Sequence, residues 1–401
     1  MKILLIAPEP FFEIRGTPLA ILQLVKVLSK LEHRVDILTY HVGKDVKVKN
    51  VVIYRITGLP FIRYVPIGPS YIKLALDFFL FFKSLRMCVE NHYDVIHAVE
   101  ESVFFGAILK GIFHIPMIYD MDSSISEQLA QGKLFNNYFF LKIIPFLEKW
   151  AIKNSTLVLT VCSSLTEIVF SNFPQKKVFQ LEDIPMNNEK QSVSQKEVLA
   201  LKKKLGLSDE LIILYTGNFE SYQGINLLIR SIPRVAEAEP NIKILLVGGE
   251  REHIETMEKL ATRLEVKSFL IFTGKMPPNV ISTYMSLADI LVSPRTKGTN
   301  TPLKIFTYLK SGKPIIATNL STHTQVLNEN ISMLVDPTPE GIAQGIISLL
   351  RDKELRVKMG RRGKAFVEEN YSYARFVKKV REIYDYVLAL ARKETTLSGS
   401  K

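Results

Sequence analysis

Cysteine is nearly absent: Cys88 and Cys162 are the only two among 401 residues, and they lie far apart. They offer no metal-ligand spacing and no disulfide framework, so the chain fits a reducing compartment. Long hydrophobic runs are absent too. The longest, Leu74 to Phe82, is broken by Asp77 and flanked by Lys73 and Lys83. A membrane span needs about 20 apolar residues, so this stretch reads as a buried helix, with an interfacial helix as the alternative. The opening run from Met1 is cut short by Pro8 and Glu9. It is too brief for the apolar core of a signal peptide, and a first core strand explains it.

Several chemical motifs are also missing. No G-x-G-x-x-G follows the first strand, and there is no Walker A, no G-x-S-x-G elbow and no H-E-x-x-H. These absences argue against dinucleotide oxidoreduction, P-loop phosphoryl transfer, simple serine hydrolysis and zinc proteolysis. The 52 basic against 40 acidic side chains give a net charge of +12, which alone would admit nucleic acid or an anionic membrane. The distribution is more telling. Residues 351–401 hold 14 basic and 7 acidic side chains, whereas residues 1–190 hold 21 and 18. Much of the excess is therefore the solvated face of C-terminal helices. No zinc-finger spacing or aromatic–basic RNA motif accompanies it, so nucleic acid is not expected as a partner.

What is present is alternation. Short apolar strands at Ile3–Ala7, Val35–Tyr40, Val51–Arg55, Val95–Ala98, Met117–Tyr119 and Leu157–Cys162 are separated by amphipathic stretches. The polar run Asn187–Gln195 interrupts this pattern, which restarts with Leu211–Tyr215, Ile242–Val247, Phe269–Phe272, Ile290–Ser293 and Pro314–Ala317. Each half reads as a parallel sheet covered by helices on both faces. Ligands of such sheets sit outside the carboxyl ends of the strands, so two of them predict a cleft between opposed crevices. The domains expected are 1–186, a linker 187–195, 196–370, a C-terminal helix 371–393 that returns to the first domain, and a disordered tail 394–401.

Both halves carry a Thr-Pro helix start. Gly16-Thr17-Pro18 lies in the first, and Thr299-Asn300-Thr301-Pro302-Leu303 in the second. Thr as N-cap and Pro as first helical residue would leave open backbone N–H groups and a positive dipole end, which suits an anion such as phosphate. The plain alternative is a capped helix start.

Around the second of these starts the chain resembles the retaining GT-B glycosyltransferases of family 4. The residues that carry the likeness are Tyr215-Thr216-Gly217-Asn218, Gln223-Gly224, Leu246 to Glu250, Thr273-Gly274-Lys275-Met276, Ala288 to Pro294 and Gly298 to Thr318. The first half matches more loosely, through its opening strand, Arg15 to Pro18 and Asp94 to Ala98. The resemblance implies an α/β GT-B fold of two doubly wound Rossmann-like domains facing a central cleft. It implies sugar transfer from a nucleoside diphosphate sugar, held by the second domain without an essential metal or other cofactor, to a sugar or lipid-linked acceptor. Localisation is then cytoplasmic, with peripheral membrane contact as an option.

Against that family pattern the chain departs at the donor site. The usual Glu pair is replaced by Thr299 and Thr307, and the usual Arg and Lys by Asn218 and Gln223. Arg295, Lys297 and Lys304 flank the anion-binding helix start and are expected to compensate, an Arg fork suiting a diphosphate best. Gly224, Asn300, Thr301 and Leu303 complete the expected cradle, and base contacts fall near Lys275 and Met276. Glu250 would touch the donor sugar or cap the following helix. Asp122 stands where many relatives place a His near the reacting sugar; it would orient the acceptor or stabilise positive charge, or form an Asx-turn or N-cap. Glu100 is the second catalytic candidate, with Glu101 and His97 beside it, His97 reading as structural. Two rivals stay open at this point: a GT-B nucleotide-sugar epimerase, and a sugar-nucleotide-binding pseudoenzyme.

Overall fold

The computed structural model describes residues 1–59, 62–66, 68, 70–126, 138–186 and 193–398. The chain forms two compact units, Met1–Glu182 with Ala374–Lys401, and Asp183–Tyr373. Most of the expected linker, 187–192, lies outside the described residues. The helix Gln195–Lys204 starts inside the expected linker, because Ser194 and Glu197 form a reciprocal capping box. The last helix runs Tyr373–Ser398, beyond the expected end at 393, and 399–401 lie outside the described residues.

The first unit holds strands β1 (Lys2–Ala7), β2 (Arg34–Thr39), β3 (Val51–Arg55), β4 (Val95–Val99), β5 (Met117–Met121), β6 (Leu157–Thr160) and β7 (Val178–Gln180). All pair in parallel, in the order β3-β2-β1-β4-β5-β6-β7. The second holds β8 (Leu211–Thr216), β9 (Ile242–Val247), β10 (Leu270–Gly274), β11 (Ile290–Ser293), β12 (Ile315–Thr318) and β13 (Met333–Val335). Their order is β10-β9-β8-β11-β12-β13, again parallel. Helices cover both faces of each sheet, so central strands read as unbroken apolar runs; β4 and β6 are buried at every residue. Chain order reverses between β1 and β4 and between β8 and β11, and these switch points are where crevices open.

The three-residue edge strands β7 and β13 were not among the strands expected from sequence. Both are partly exposed and only three residues long, too short to be read as strands from an apolar run. The greasy stretch from Leu74 falls in the helix Tyr71–Glu90. It buries polar residues: Asp77 accepts a hydrogen bond from Tyr40 Oη at 2.6 Å, and Lys73 pairs with Glu101. Among the described residues, no helix is long and apolar enough to cross a membrane.

Candidate active site

The second unit gathers most of the predicted donor residues at its switch point. After β8 the chain turns through Gly217 and Asn218 to Gly224, which caps the helix Ile225–Ala238 at φ +72°. A Cβ at Gly224 would stand 1.9 Å from the carbonyl oxygen of Pro294, so only glycine lets the turn seat against the end of β11. That contact brings Gln223 beside the residues that follow β11.

There the helix Lys304–Ser311 begins. Neither expected Thr-Pro cap is present. The residue before the helix is Leu303, with no side-chain cap, so Thr301 and Pro302 lie in the loop ahead of it. In the first unit the helix is Gly16–Lys30, capped by Arg15 without a side-chain bond. Gly16 and Thr17 are thus already helical, and Pro18 sits in the first turn, where its missing N–H costs nothing. Thr301 is nevertheless distinctive. It is buried, and its Oγ1 has no hydrogen-bond partner, a costly state that a ligand would relieve.

Lys304 brings a buried amine to the site. Its Nζ donates to Gln223 Oε1 at 3.0 Å and lies 3.9 Å from the centroid of the Tyr215 ring. Desolvation, with repulsion from Arg295 second, holds the amine well below the ordinary lysine range. Tyr215 is itself fixed, its hydroxyl donating to Asn218 O at 2.6 Å. The amine thus reaches from the other side of the switch point to Gln223, where the family pattern has a basic residue.

Arg295 has a different task from the one expected. Its Nε donates to Lys297 O at 2.7 Å, its Nη1 to Asn300 O and its Nη2 to Asn300 Oδ1, both at 3.0 Å. The buried guanidinium braces the loop from inside and contributes field rather than an open fork. Gly298 is required by that brace: at φ +120°, a Cβ would come within 2.4 Å of Arg295 Nη2. Lys297 is exposed.

Residues beyond those read from sequence hold this loop. Thr318 Oγ1 donates to Arg295 O at 2.5 Å, Thr322 Oγ1 to Asn300 O and Gln325 Nε2 to Thr299 O, both at 2.8 Å. His323 lies 2.9 Å from Ser293 Oγ, and burial pushes it down to about 3. Tyr308 accepts from the Thr216 N–H at 2.8 Å and so ties the helix to β8. The only sequence hint to these residues was polar side chains inside otherwise apolar elements. Thr307 accepts from the Met186 N–H at 3.3 Å. Glu250 does not cap the helix Arg251–Arg263 with its side chain; it pairs with Lys275 at 2.5 Å, beside Gly249 and Gly274. Met276 packs against the core.

In the first unit, Glu100 follows β4 with φ +47°, and its Oε1 accepts from Ser123 Oγ at 3.2 Å. Asp122 follows β5 and is half-buried. Glu101 is taken by Lys73. His97 is buried, 2.8 Å from both Asp120 Oδ2 and Tyr384 Oη, a structural link that anchors the last helix. Sequence reading passed over Glu9. It is buried at the end of β1, its Oε1 lacks a partner, and burial followed by repulsion from Glu100 raises it well above the carboxylate range.

Comparison with known proteins agrees with the fold. The family model "Glycosyl transferases group 1" matches residues 198–366, and "Glycosyltransferase Family 4" matches residues 14–179. The chain is 25% identical to the alpha-monoglucosyldiacylglycerol synthase of Streptococcus pneumoniae, over 79% of this chain and 71% of that one. In fold it is similar to sucrose-phosphate synthase from Thermosynechococcus elongatus, with TM-score 0.80, 19% identity and coverage of 97% and 99%. It is also similar to Anabaena HepE solved in complex with UDP-glucose, with TM-score 0.74, 16% identity and coverage of 96% and 100%. With both sheets and the two family models in agreement, the chain belongs to the family 4 glycosyltransferases of GT-B fold.

Proposed function

We propose that this enzyme transfers a hexosyl group from a UDP- or GDP-linked sugar to a hydroxyl of a saccharide, lipid-linked or small-molecule acceptor, with retention and without an essential metal. The observation that carries the reading is the desolvated Lys304 amine, 3.0 Å from Gln223 and close in the chain to the unpartnered Thr301 hydroxyl. A diphosphate satisfies both, and the N-terminus of the helix Lys304–Ser311, which has no side-chain cap, adds the positive end of its dipole. As the bond from C1 to the diphosphate oxygen breaks, negative charge grows on the leaving group. A fixed cation there stabilises the transition state more than the bound donor. The acceptor oxygen bonds to C1 from the same face, and its proton passes to the departing diphosphate. UDP-glucose in the HepE complex and the lipid named for the pneumococcal relative support this donor and acceptor class.

Asp122 is assigned to the acceptor side, orienting the hydroxyl or facing the positive charge on the sugar. Asp122→Asn is expected to lower kcat by about 10²-fold or more while leaving donor affinity intact. Transfer is to be measured with UDP- and GDP-hexoses and with lipid and saccharide acceptors, the product anomer being read by NMR. Unchanged turnover in the variant would return Asp122 to a turn-forming role. Nucleotide binding with neither sugar release nor transfer would overturn the enzymatic reading.

A further inference from the structure

The helix Tyr71–Glu90 has its polarity inverted. Its buried face includes Lys73, Asp77 and Ser84. Its solvent face is a stripe of Tyr71, Leu74, Phe78, Phe82 and Val89, exposed by 64, 55, 60, 51 and 70%. Their spacing puts all five on one side of the helix along about 27 Å of its axis. Water-facing stripes carry polar side chains in soluble helices. Here Lys73 and Asp77 are turned inward and satisfied, by Glu101 and Tyr40, and Phe78 and Phe82 are left out; the exposed pair Arg86–Glu90 lies at the C-terminal end of the helix.

The stripe does not end with this helix. The helices Val103–Phe113 and Tyr138–Asn154 share the same core beneath one sheet face and pack in sequence beside it. They add exposed Ile108 and Ile112, and exposed Phe146. An apolar face of this extent marks an interaction surface. Charge identifies the partner. On the Phe146 side of its helix stand Lys149 and Lys153, both exposed. Lys110 Nζ donates to Asn154 O at 2.8 Å, and Lys176 Nζ reaches Ser155 O, so four lysines gather at that end. Glu148, next to Lys149 in sequence, is buried and accepts hydrogen bonds from Ile125 N and Ser124 Oγ.

Aromatics on the apolar stripe with a lysine cluster at its margin fit a surface that is apolar beneath and anionic at its rim. We propose that this face docks on an anionic phospholipid bilayer, with Phe78 and Phe82 at the boundary of headgroups and acyl chains and the lysines on the headgroups. The inference stands apart from the donor reading, since none of these residues lies in the second unit.

The test is co-sedimentation of the full chain with vesicles of phosphatidylcholine alone or mixed with phosphatidylglycerol. Binding is expected to the mixed vesicles and to weaken with salt. The F78S/F82S variant is expected to lose about tenfold or more in partitioning. K149E/K153E should lose the preference for phosphatidylglycerol while keeping its thermal unfolding midpoint. The proposal is overturned if the wild-type chain ignores both vesicles, or if both variants bind as the wild type does. It is equally overturned if F78S/F82S abolishes a dimer in sedimentation velocity without changing vesicle binding, since the face would then join two copies of this chain.

Discussion

Lys304 shows how one side chain reaches a place that its neighbours in sequence do not reveal. The loop after β8 offers Asn218 and Gln223, which are neutral, yet the amine of Lys304 is delivered to Gln223 across the switch point. Its environment disfavours the charged form until an anion arrives, because desolvation dominates and Arg295 adds repulsion. A bound diphosphate reverses that balance and raises the amine's proton affinity. Complex formation is therefore expected to take up a proton at pH values between the free and the bound pKa. Affinity should rise as pH falls from the bound pKa toward the lower free pKa, and level off below it. Calorimetry of UDP binding in buffers of different ionisation enthalpy should show that uptake in the wild type and none in Lys304→Met. Equal uptake in the two proteins would assign the proton to another group.

At the scale of elements, the loop from Arg295 to Leu303 is held as a unit by its own arginine and by the helical turn Ser321–Thr324 with Gln325 behind it. Arg295→Lys is predicted to behave almost as Arg295→Ala. A single ammonium cannot serve Lys297 O, Asn300 O and Asn300 Oδ1 in one planar fork. Both variants should weaken UDP and GDP by about tenfold or more through loop disorder, which proteolysis of the loop would register. Full retention of affinity by Arg295→Lys would mean that charge alone is needed. Elements of this kind mark the boundary of what sequence discloses. The central strands were legible because burial on both faces leaves a run of Val, Ile and Leu with nothing polar in it. The edge strands β7 and β13 are too short for such a run to stand out, and the helix starts at Gly16 and Lys304 ignored the Thr-Pro pairs expected to cap them. The loop from Gly298 to Lys304 was legible in the sequence, but the contacts within it were not. Whether an arginine faces a ligand or its own loop depends on contacts with Asn300 and Gly298 that no linear pattern encodes.

The whole chain has the same construction twice: a parallel sheet, a switch point and polar residues clustered where the strands end. The first unit is completed only when the chain comes back. The final helix buries Phe376, Val380, Ile383, Tyr384 and Val387, and Tyr384 is bonded to His97. Glu9, Glu100 and Asp122 then stand at the ends of β1, β4 and β5, while the basic cradle stands at the ends of β8 and β11. The central claim is that Lys304 supplies the charge for the leaving diphosphate. Its most direct measurement is calorimetric affinity for UDP and GDP against uridine and guanosine, in the wild type and in Lys304→Ala. The account predicts that the variant loses about tenfold or more for the diphosphate it binds and little for the corresponding nucleoside. Equal losses for nucleoside and diphosphate would contradict it.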